Sequence, residues 1–411
     1  MPSTYWIETL GCPKNQVDSD KLVGTLVADG LAPAARPEDA DLVVVNTCAF
    51  IEAAREESID TTLSLAEARR PGARLVVTGC MAERYGDELA LALPEADLVA
   101  GFGVPVTLGP KPAVPSLDLL ELPRPPAGAP WAYVKIAEGC DRTCGFCAIP
   151  SFRGPQRSRS DASILAEVDA LAVREVVLVA QDLASYGKDD GRRGAIVPLV
   201  RAVAGRVART RLLYLYPSDL SDDLVDAIGE TGVPYFDLSL QHVSKPLLRR
   251  MRRWGDGERF LARIETIRSR FPEAAFRSSF IVGYPGETES DHDELLAFLD
   301  AAQLDWAGFF AYSREEGTHA AGLDGAVPPE LVGERLRELS EVQDGITAAR
   351  RHALVGQRVE VLVDAPGRGR THREAPEIDG TVHVPAELEV GSLVKVVVTG
   401  VEGPDLYAEA A

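Results

Sequence analysis

The sequence predicts an α/β chain of two strand–helix domains followed by a small all-β barrel. Three observations predict it. Short apolar runs alternate with helical stretches through the first hundred residues. The same alternation resumes at Trp131, after a stretch rich in Pro and Gly, and continues through six candidate strands. The tail then changes to β-rich segments separated by Gly and Pro turns. Strand–helix alternation predicts a parallel sheet with helices on its faces, whereas short, evenly spaced strands predict a barrel.

In the first domain, Tyr5–Leu10 reads as a strand and Ser19–Ala28 as a helix. Asp41–Asn46 carries the continuous run Leu42-Val43-Val44-Val45, suited to a strand buried on both faces. Glu52–Ala68 is an amphipathic helix, and Arg74–Thr78 repeats the buried-strand pattern before another helix. In the second domain the expected strands are Tyr133–Ile136, Glu175–Ala180, Arg211–Tyr216, Tyr235–Leu240, Phe276–Val282 and Ala307–Tyr312, followed by a charged helix over Pro328–Leu354. Six strands with helical spacers suggest a partial (β/α)6 barrel, whose active site lies at the strands' carboxyl ends. In the tail, Arg358–Val363, Ile378–His383 and Leu393–Val401 read as strands. The expected organisation is an N-terminal α/β domain over 1–112, a linker over 113–130, the partial barrel over 131–350 and an OB-like β-barrel over 352–411.

The formal net charge of −20 disfavours a nucleic-acid partner and favours a basic protein. The chain opens Met-Pro-Ser-Thr with no signal pattern, and no apolar run approaches the ~20 residues of a spanning helix. A cytoplasmic protein without a membrane partner is expected. In that compartment the six cysteines are better read as metal ligands or catalysts than as disulfides.

Three cysteines lie within eight residues in Glu138-Gly-Cys140-Asp-Arg-Thr-Cys144-Gly-Phe-Cys147. Three thiolates so spaced can grip one face of an iron–sulfur cubane, which ordinarily takes four. The missing fourth leaves one iron for an exogenous ligand. Structural zinc is the competing reading, but it wants four closed ligands, and the nearest histidine in sequence is His242. Gln181 after the second strand, Arg277 on the fifth, and the turn Gly283-Tyr-Pro-Gly286-Glu287 are candidates to bind a cofactor, although an ordinary strand-to-helix turn explains the last as well.

Cys12, Cys48 and Cys80 each follow a predicted strand, 36 and 32 residues apart, about one strand–helix unit each time. In a parallel sheet such positions converge on one edge. Gly11 and Gly79 would let backbone approach a bulky inorganic ligand. The competing reading is three buried structural cysteines.

The C-x3-C-x2-C spacing resembles that of radical S-adenosylmethionine enzymes. With the dispersed triplet and the β-barrel tail, essentially the whole chain resembles the methylthiotransferases of that superfamily. The resemblance implies two [4Fe-4S] clusters, on Cys140, Cys144 and Cys147 and on Cys12, Cys48 and Cys80. It implies that S-adenosylmethionine chelates the open iron of the first and serves as both radical source and methyl donor, while the second supplies the inserted sulfur. It also implies a tail of TRAM type. One branch of the family modifies tRNA adenosine beside the anticodon; the other modifies an aspartate of small-subunit ribosomal protein S-twelve. Gly11-Cys-Pro-Lys-Asn-Gln-Val-Asp-Ser19, Asn46-Thr-Cys-Ala-Phe-Ile51, Ala148-Ile-Pro-Ser-Phe-Arg-Gly154 and Gly369-Arg-Thr-His-Arg-Glu-Ala-Pro-Glu-Ile-Asp-Gly380 look like the ribosomal branch. His372 is a departure from the more usual Tyr.

Residues 355–411 hold ten acidic and five basic residues and one aromatic, Tyr407. A barrel that reads RNA wants cationic grooves and stacking platforms, so the tail fits a basic ribosomal protein better than tRNA. The basic cluster Arg368–Arg373 is expected to be a solvated loop, with ribosomal RNA contact as the alternative. External electron and sulfur donors are implied. An iron–sulfur electron-transfer protein is the rival from another class; it would not cleave S-adenosylmethionine.

Overall fold

A computed structural model describes residues 3–108 and 118–410. Of the expected linker, residues 113–117 lie outside the described residues. The N-terminal sheet contains β1 (Thr4–Thr9), β2 (Ala32–Pro33), β3 (Leu42–Thr47), β4 (Arg74–Gly79) and β5 (Leu98–Ala100), in spatial order β2-β1-β3-β4-β5. Its pairings are parallel throughout. Between them run α1 (Pro13–Ala28), α2 (Glu52–Ala68) and α3 (Cys80–Ala92). The apolar run of β3 is buried along its whole length, as a strand covered on both faces must be.

Helix α1 begins six residues earlier than the apolar periodicity suggests. Pro13 occupies its first turn and Cys12 its N-cap, so the chain turns straight from strand into helix. Proline suits that position because its missing N–H would be unpaired there anyway.

The second sheet system contains β6 (Trp131–Lys135), the short hairpin β7 (Ala137–Glu138) and β8 (Arg157–Ser158), β9 (Glu175–Val179), β10 (Arg209–Leu212), β11 (Tyr235–Gln241), β12 (Ala275–Val282) and β13 (Trp306–Ala311). The intervening helices are α4 (Ile149–Arg153), α5 (Asp161–Leu171), α6 (Ile196–Ala204), α7 (Asp222–Gly229), α8 (Lys245–Arg250), α9 (Gly257–Arg270) and α10 (Glu289–Ala302), and α11 (Pro329–His352) follows. Two three-stranded parallel sheets, β10-β9-β6 and β11-β12-β13, meet at a single bridge, Leu215 with Leu238. The expected strand Arg211–Tyr216 stops at Leu212, and Tyr214 turns to a left-handed φ of 65°.

The two edge strands of this partial barrel do not pair with each other. The segment after β15 crosses between them. Tyr133 Oη on β6 donates to the Pro376 carbonyl at 2.9 Å, and Trp306 Nε1 on β13 donates to the Arg373 carbonyl at 2.6 Å. Val17 of α1 and Ala375 join Tyr133, Val177, Leu213, Tyr235 and Trp306 in one buried apolar cluster. Neighbouring units thus complete the barrel interior.

The tail closes into a five-stranded barrel of β14 (Arg358–Ala365), β15 (Arg368–Arg370), β16 (Val382–His383), β17 (Leu393–Glu402) and β18 (Asp405–Ala410). Two expectations change here. The strand Ile378–His383 shortens to Val382–His383, because 373–379 packs under the larger barrel instead. The basic cluster is not wholly a solvated loop: Arg368 is exposed on β15, but Arg370 is not. Arg370 is buried between Glu175 of β9 and Asp364. Three of the acidic residues also face inward: Glu374 pairs with Arg351, Asp364 with Arg370, and Asp379 lies 3.6 Å from Arg277. The described part of the linker is fastened too, since Lys21 donates to the Leu120 and Leu122 carbonyls and Arg124 pairs with Asp20. Among the described residues no helix is long and apolar enough to cross a membrane.

Burial pushes the Asp379 carboxyl up to about 6, against the pull of Arg277 and the Tyr235 hydroxyl. Folding therefore favours its protonated form. That contribution is complete below the unfolded value near ~4 and is lost as pH rises through 6. In paired thermal melts, Asp379→Asn should gain on the wild type as pH goes from 4 to 7. A melting-temperature difference that stays flat with pH contradicts this.

Candidate functional site

Strand order places the dispersed cysteines. In a sheet ordered β2-β1-β3-β4-β5 the chain reverses direction between β1 and β3, and the crevice beyond their carboxyl ends is the usual ligand site. Cys12 follows β1, Cys48 follows β3, and Cys80 opens α3 directly after β4. The three thiols are close enough that Cys12 and Cys80 both raise Cys48 electrostatically. Gly11 makes this possible. At φ +92° it occupies backbone space that a side chain rarely adopts, and a Cβ there would lie 2.9 Å from Cys48 Sγ. The glycine serves the approach of two cysteine-bearing turns as much as that of a ligand.

The second triplet lies on the loop after β7. Cys140 N donates to the Gly154 carbonyl, Gly145 N to the Met251 carbonyl, and Cys147 N to the Cys144 carbonyl, which folds the loop under the α8 end. Electrostatic coupling of Cys147 to both Cys144 and Cys140 shows that these thiols converge as well.

Helix α4 follows Cys147 at once and carries Arg153 back to the first triplet. Its Nη2 donates to Cys80 Sγ at 3.0 Å and to Asn15 Oδ1 at 2.6 Å. Its Nη1 bonds Asp18 Oδ2 at 3.1 Å and both oxygens of Glu138, at 2.9 and 3.0 Å. Lys135 also pairs with Asp18 and Glu138. Two cations and two carboxylates thus form a buried knot against Cys80. Burial alone would push the Glu138 carboxyl up, but Arg153 and Lys135 hold it well below the usual range.

Both triplets are ringed by N–H donors. Arg253 Nη1 donates to Cys144 Sγ at 3.2 Å, and Arg142 N donates to Cys140 Sγ at 3.4 Å. Arg142 is itself held by Asp182 and Asp219, the second shared with Lys188. Burial pushes Cys48 and Cys147 up to about 12 and Cys140 to about 11. Cys12 differs: burial raises it, but Lys14 and Arg153 outweigh that and leave it lowered.

All six cysteines are free thiols, divided three and three. Among the described residues no three His, Cys, Asp or Glu side chains close around one metal ion. A cubane takes its thiolates on separate irons and spreads them wider. Three converging thiols, amide and guanidinium donors aimed at sulfur, and no seventh cysteine in the chain fit a cluster with one open iron at each triplet.

The other expected site residues fare differently. Gln181 lies beside the knot, donating through Nε2 to Glu138, while its buried Oε1 has no partner among the described residues. One acceptor is therefore available to a ligand. Arg277 is not brought to the cysteine loops. It sits near the start of β12, against Asp237 and Asp379, six residues and roughly 20 Å of strand from the Gly283 end. The Gly283 amide is committed to Glu287 Oε2 at 2.6 Å, and Val332 of α11 covers the place of its missing side chain. Glu287 is held by Arg335 and secures that turn. Sequence reasoning missed Arg153, Asp18 and Glu138. The available signal was Arg153's position six residues after Cys147.

Three family models match the chain in succession: an uncharacterized protein family (UPF0004) over residues 4–101, the radical SAM superfamily over 134–299 and a TRAM domain over 355–411. The fold is similar to that of a radical S-adenosylmethionine methyltransferase, TsrM, from Kitasatospora setae, with a TM-score of 0.54 at 13% identity over 86% of this chain and 90% of that one. These matches define a radical SAM protein with an added N-terminal α/β domain and a TRAM barrel. Proteins called "Ribosomal protein uS12 methylthiotransferase RimO" are similar over nearly the whole chain. That of Moorella thermoacetica is 44% identical, covering 95% of each chain. Those of Kineococcus radiotolerans and Aquifex aeolicus are 43% and 42% identical, covering 98% and 97% of this chain and 96% and 95% of theirs. The chain belongs to the uS12 methylthiotransferase family.

Removing one member of a buried ion cluster leaves its partners uncompensated and costs about 3–5 kcal/mol. Arg153→Gln should lower the urea midpoint of the iron-free protein accordingly. Arg153→Lys should recover part of the loss, since an ammonium can serve Glu138 but not also Asp18 and Cys80. An unchanged midpoint for Arg153→Gln contradicts a stabilising role.

Proposed function

We infer that this enzyme attaches a methylthio group to the β-carbon of an aspartate in ribosomal protein uS12. What carries the inference is a pair of three-thiol sites, with Arg153 from the helix after Cys147 bonded to Cys80, in a chain whose 41–44% identical relatives bear that name. Cys140, Cys144 and Cys147 would hold a [4Fe-4S] cluster with one iron open to S-adenosylmethionine. Cys12, Cys48 and Cys80 would hold a second, with one iron open to sulfur. When bound, the clusters and S-adenosylmethionine supply the one-electron chemistry that opens a C–H bond, the sulfur and the methyl group.

The protein's own part is placement. Arg253 and Arg142 donate to the sulfurs of the first site, and Arg153 to the second. Such donors stabilise the anionic charge of thiolate-bound clusters. Gln181 Oε1 is the acceptor offered to the cofactor's polar end. With all six thiols committed to the two sites, reductant and replacement sulfur would come from external donors. A ribosomal substrate puts the reaction in the cytoplasm. A tRNA substrate is not favoured, since Arg370 of the tail is spent on internal ion pairs.

The test is anaerobic reconstitution with S-adenosylmethionine, reductant, sulfide and either uS12 or tRNA, read by mass spectrometry. A methylthio group on uS12 is expected; one on tRNA alone contradicts the substrate. Replacing Cys12, Cys48 and Cys80 together by Ala should leave 5′-deoxyadenosine formation and abolish sulfur insertion. Loss of both contradicts the division of labour.

A further inference from the structure

Lys14 is the second residue of α1 and lies two residues beyond Cys12. Its side chain reaches out of the N-terminal domain towards the larger barrel, with Nζ 3.3 Å from the centre of the Tyr214 ring. Lys14 is only 8% exposed. Every other buried lysine or arginine among the described residues has a carboxylate or carbonyl within bonding distance, including Lys21, Lys135, Arg153 and Arg209. Lys14 has none. Asp237, the acidic group that faces it from β11, is occupied by the Tyr214 amide at 2.9 Å and by Arg277 at 3.9 Å.

Its charge partners are the Cys12 thiol on its own turn and Asp237, neither of them hydrogen-bonded to it, and an aromatic face offsets only part of the cost of drawing an ammonium out of bulk water. Tyr214, which provides the face, is held in a left-handed conformation, φ 65°. Backbone strain of that kind on a bulky residue persists where the surroundings enforce it, often at ligand sites. A cation with no hydrogen-bonded acceptor among the described residues, set on strained architecture beside the Cys12 turn, has its donors free for an anionic group of a ligand.

We propose that Lys14 binds the side-chain carboxylate of the target aspartate. The inference rests on the function proposed above and adds the group that recognises the substrate. The carboxylate carbon is bonded directly to the β-carbon. Gripping the carboxylate therefore fixes the reacting carbon one bond away, next to the Cys12 turn from which sulfur would be delivered. An ammonium suits the task because it is a compact charge with three donors on a flexible stem. The same contact selects an acidic side chain over a neutral one of equal shape, because Asn would leave the cation unpaired.

The experiment uses the full-length enzyme with both clusters reconstituted. Its ligands are uS12 and uS12 whose modified aspartate, located by mass spectrometry, is replaced by Asn. Wild type should bind the aspartate form at least tenfold more tightly, and Lys14→Gln should bind the two alike while retaining the iron of both clusters. A charge-assisted hydrogen bond supports a difference of that size. The inference is overturned if Lys14→Gln keeps the wild-type preference. It is overturned equally if that variant loses the iron of the Cys12 site, which would make Lys14 a charge balance for the cluster. Failure of the wild type to modify uS12 at all would instead sink the function on which the inference rests.

Discussion

The arrangement depends on one buried knot of charge. Asp18 comes from α1, Lys135 and Glu138 from the first strands of the larger barrel, and Arg153 from the short helix after its cysteine loop. Two positive and two negative groups taken out of water are tolerable only because each finds several partners. Arg153 alone contacts two carboxylates, an amide oxygen and a thiol. The knot fixes the N-terminal domain against the barrel beside Cys80. A domain free to rock would not hold two cofactors in register, since small displacements of reacting groups are costly.

A second set of contacts seals the opposite end. A barrel of six strands leaves its edges apart, and the Arg373–Asp379 segment spans them through Tyr133 and Trp306. Val17 fills the interior from the other side. The tail is thus a structural part of the barrel as well as an appended module. Its inward charges explain why the acidic count of the tail overstates its acidic surface. Glu374, held low at about 2 chiefly by Arg351 against the effect of burial, is an interior counter-ion.

The parts legible in the sequence are those written in local pattern. The apolar runs of β3 and β4, the strand–helix alternation and the position of each cysteine after a strand follow from backbone periodicity and chain direction, and the folded chain keeps them. The illegible parts are long-range. Nothing in the spacing of Arg277 or Gly283 says that the first faces the tail and the second packs on α11, and both were expected at a cofactor. Arg153 sat in a recognisable stretch, but its role depends on meeting Asp18 across 135 residues of chain. Residues 378–381 read as strand together with Val382 and His383 in a turn-bounded stretch, yet packing of the preceding segment under the barrel takes them out of the sheet.

The central claim is that the two triplets are separate open sites, with Arg153 bonded to Cys80 of one and carried on the helix that follows the other. Iron-edge anomalous diffraction from anaerobically reconstituted crystals tests it most directly. The account predicts two distinct iron maxima, one at Cys12, Cys48 and Cys80 and one at Cys140, Cys144 and Cys147. Neither would have a fourth protein ligand. Iron at one triplet alone, or a fourth side chain closing either site, would contradict it.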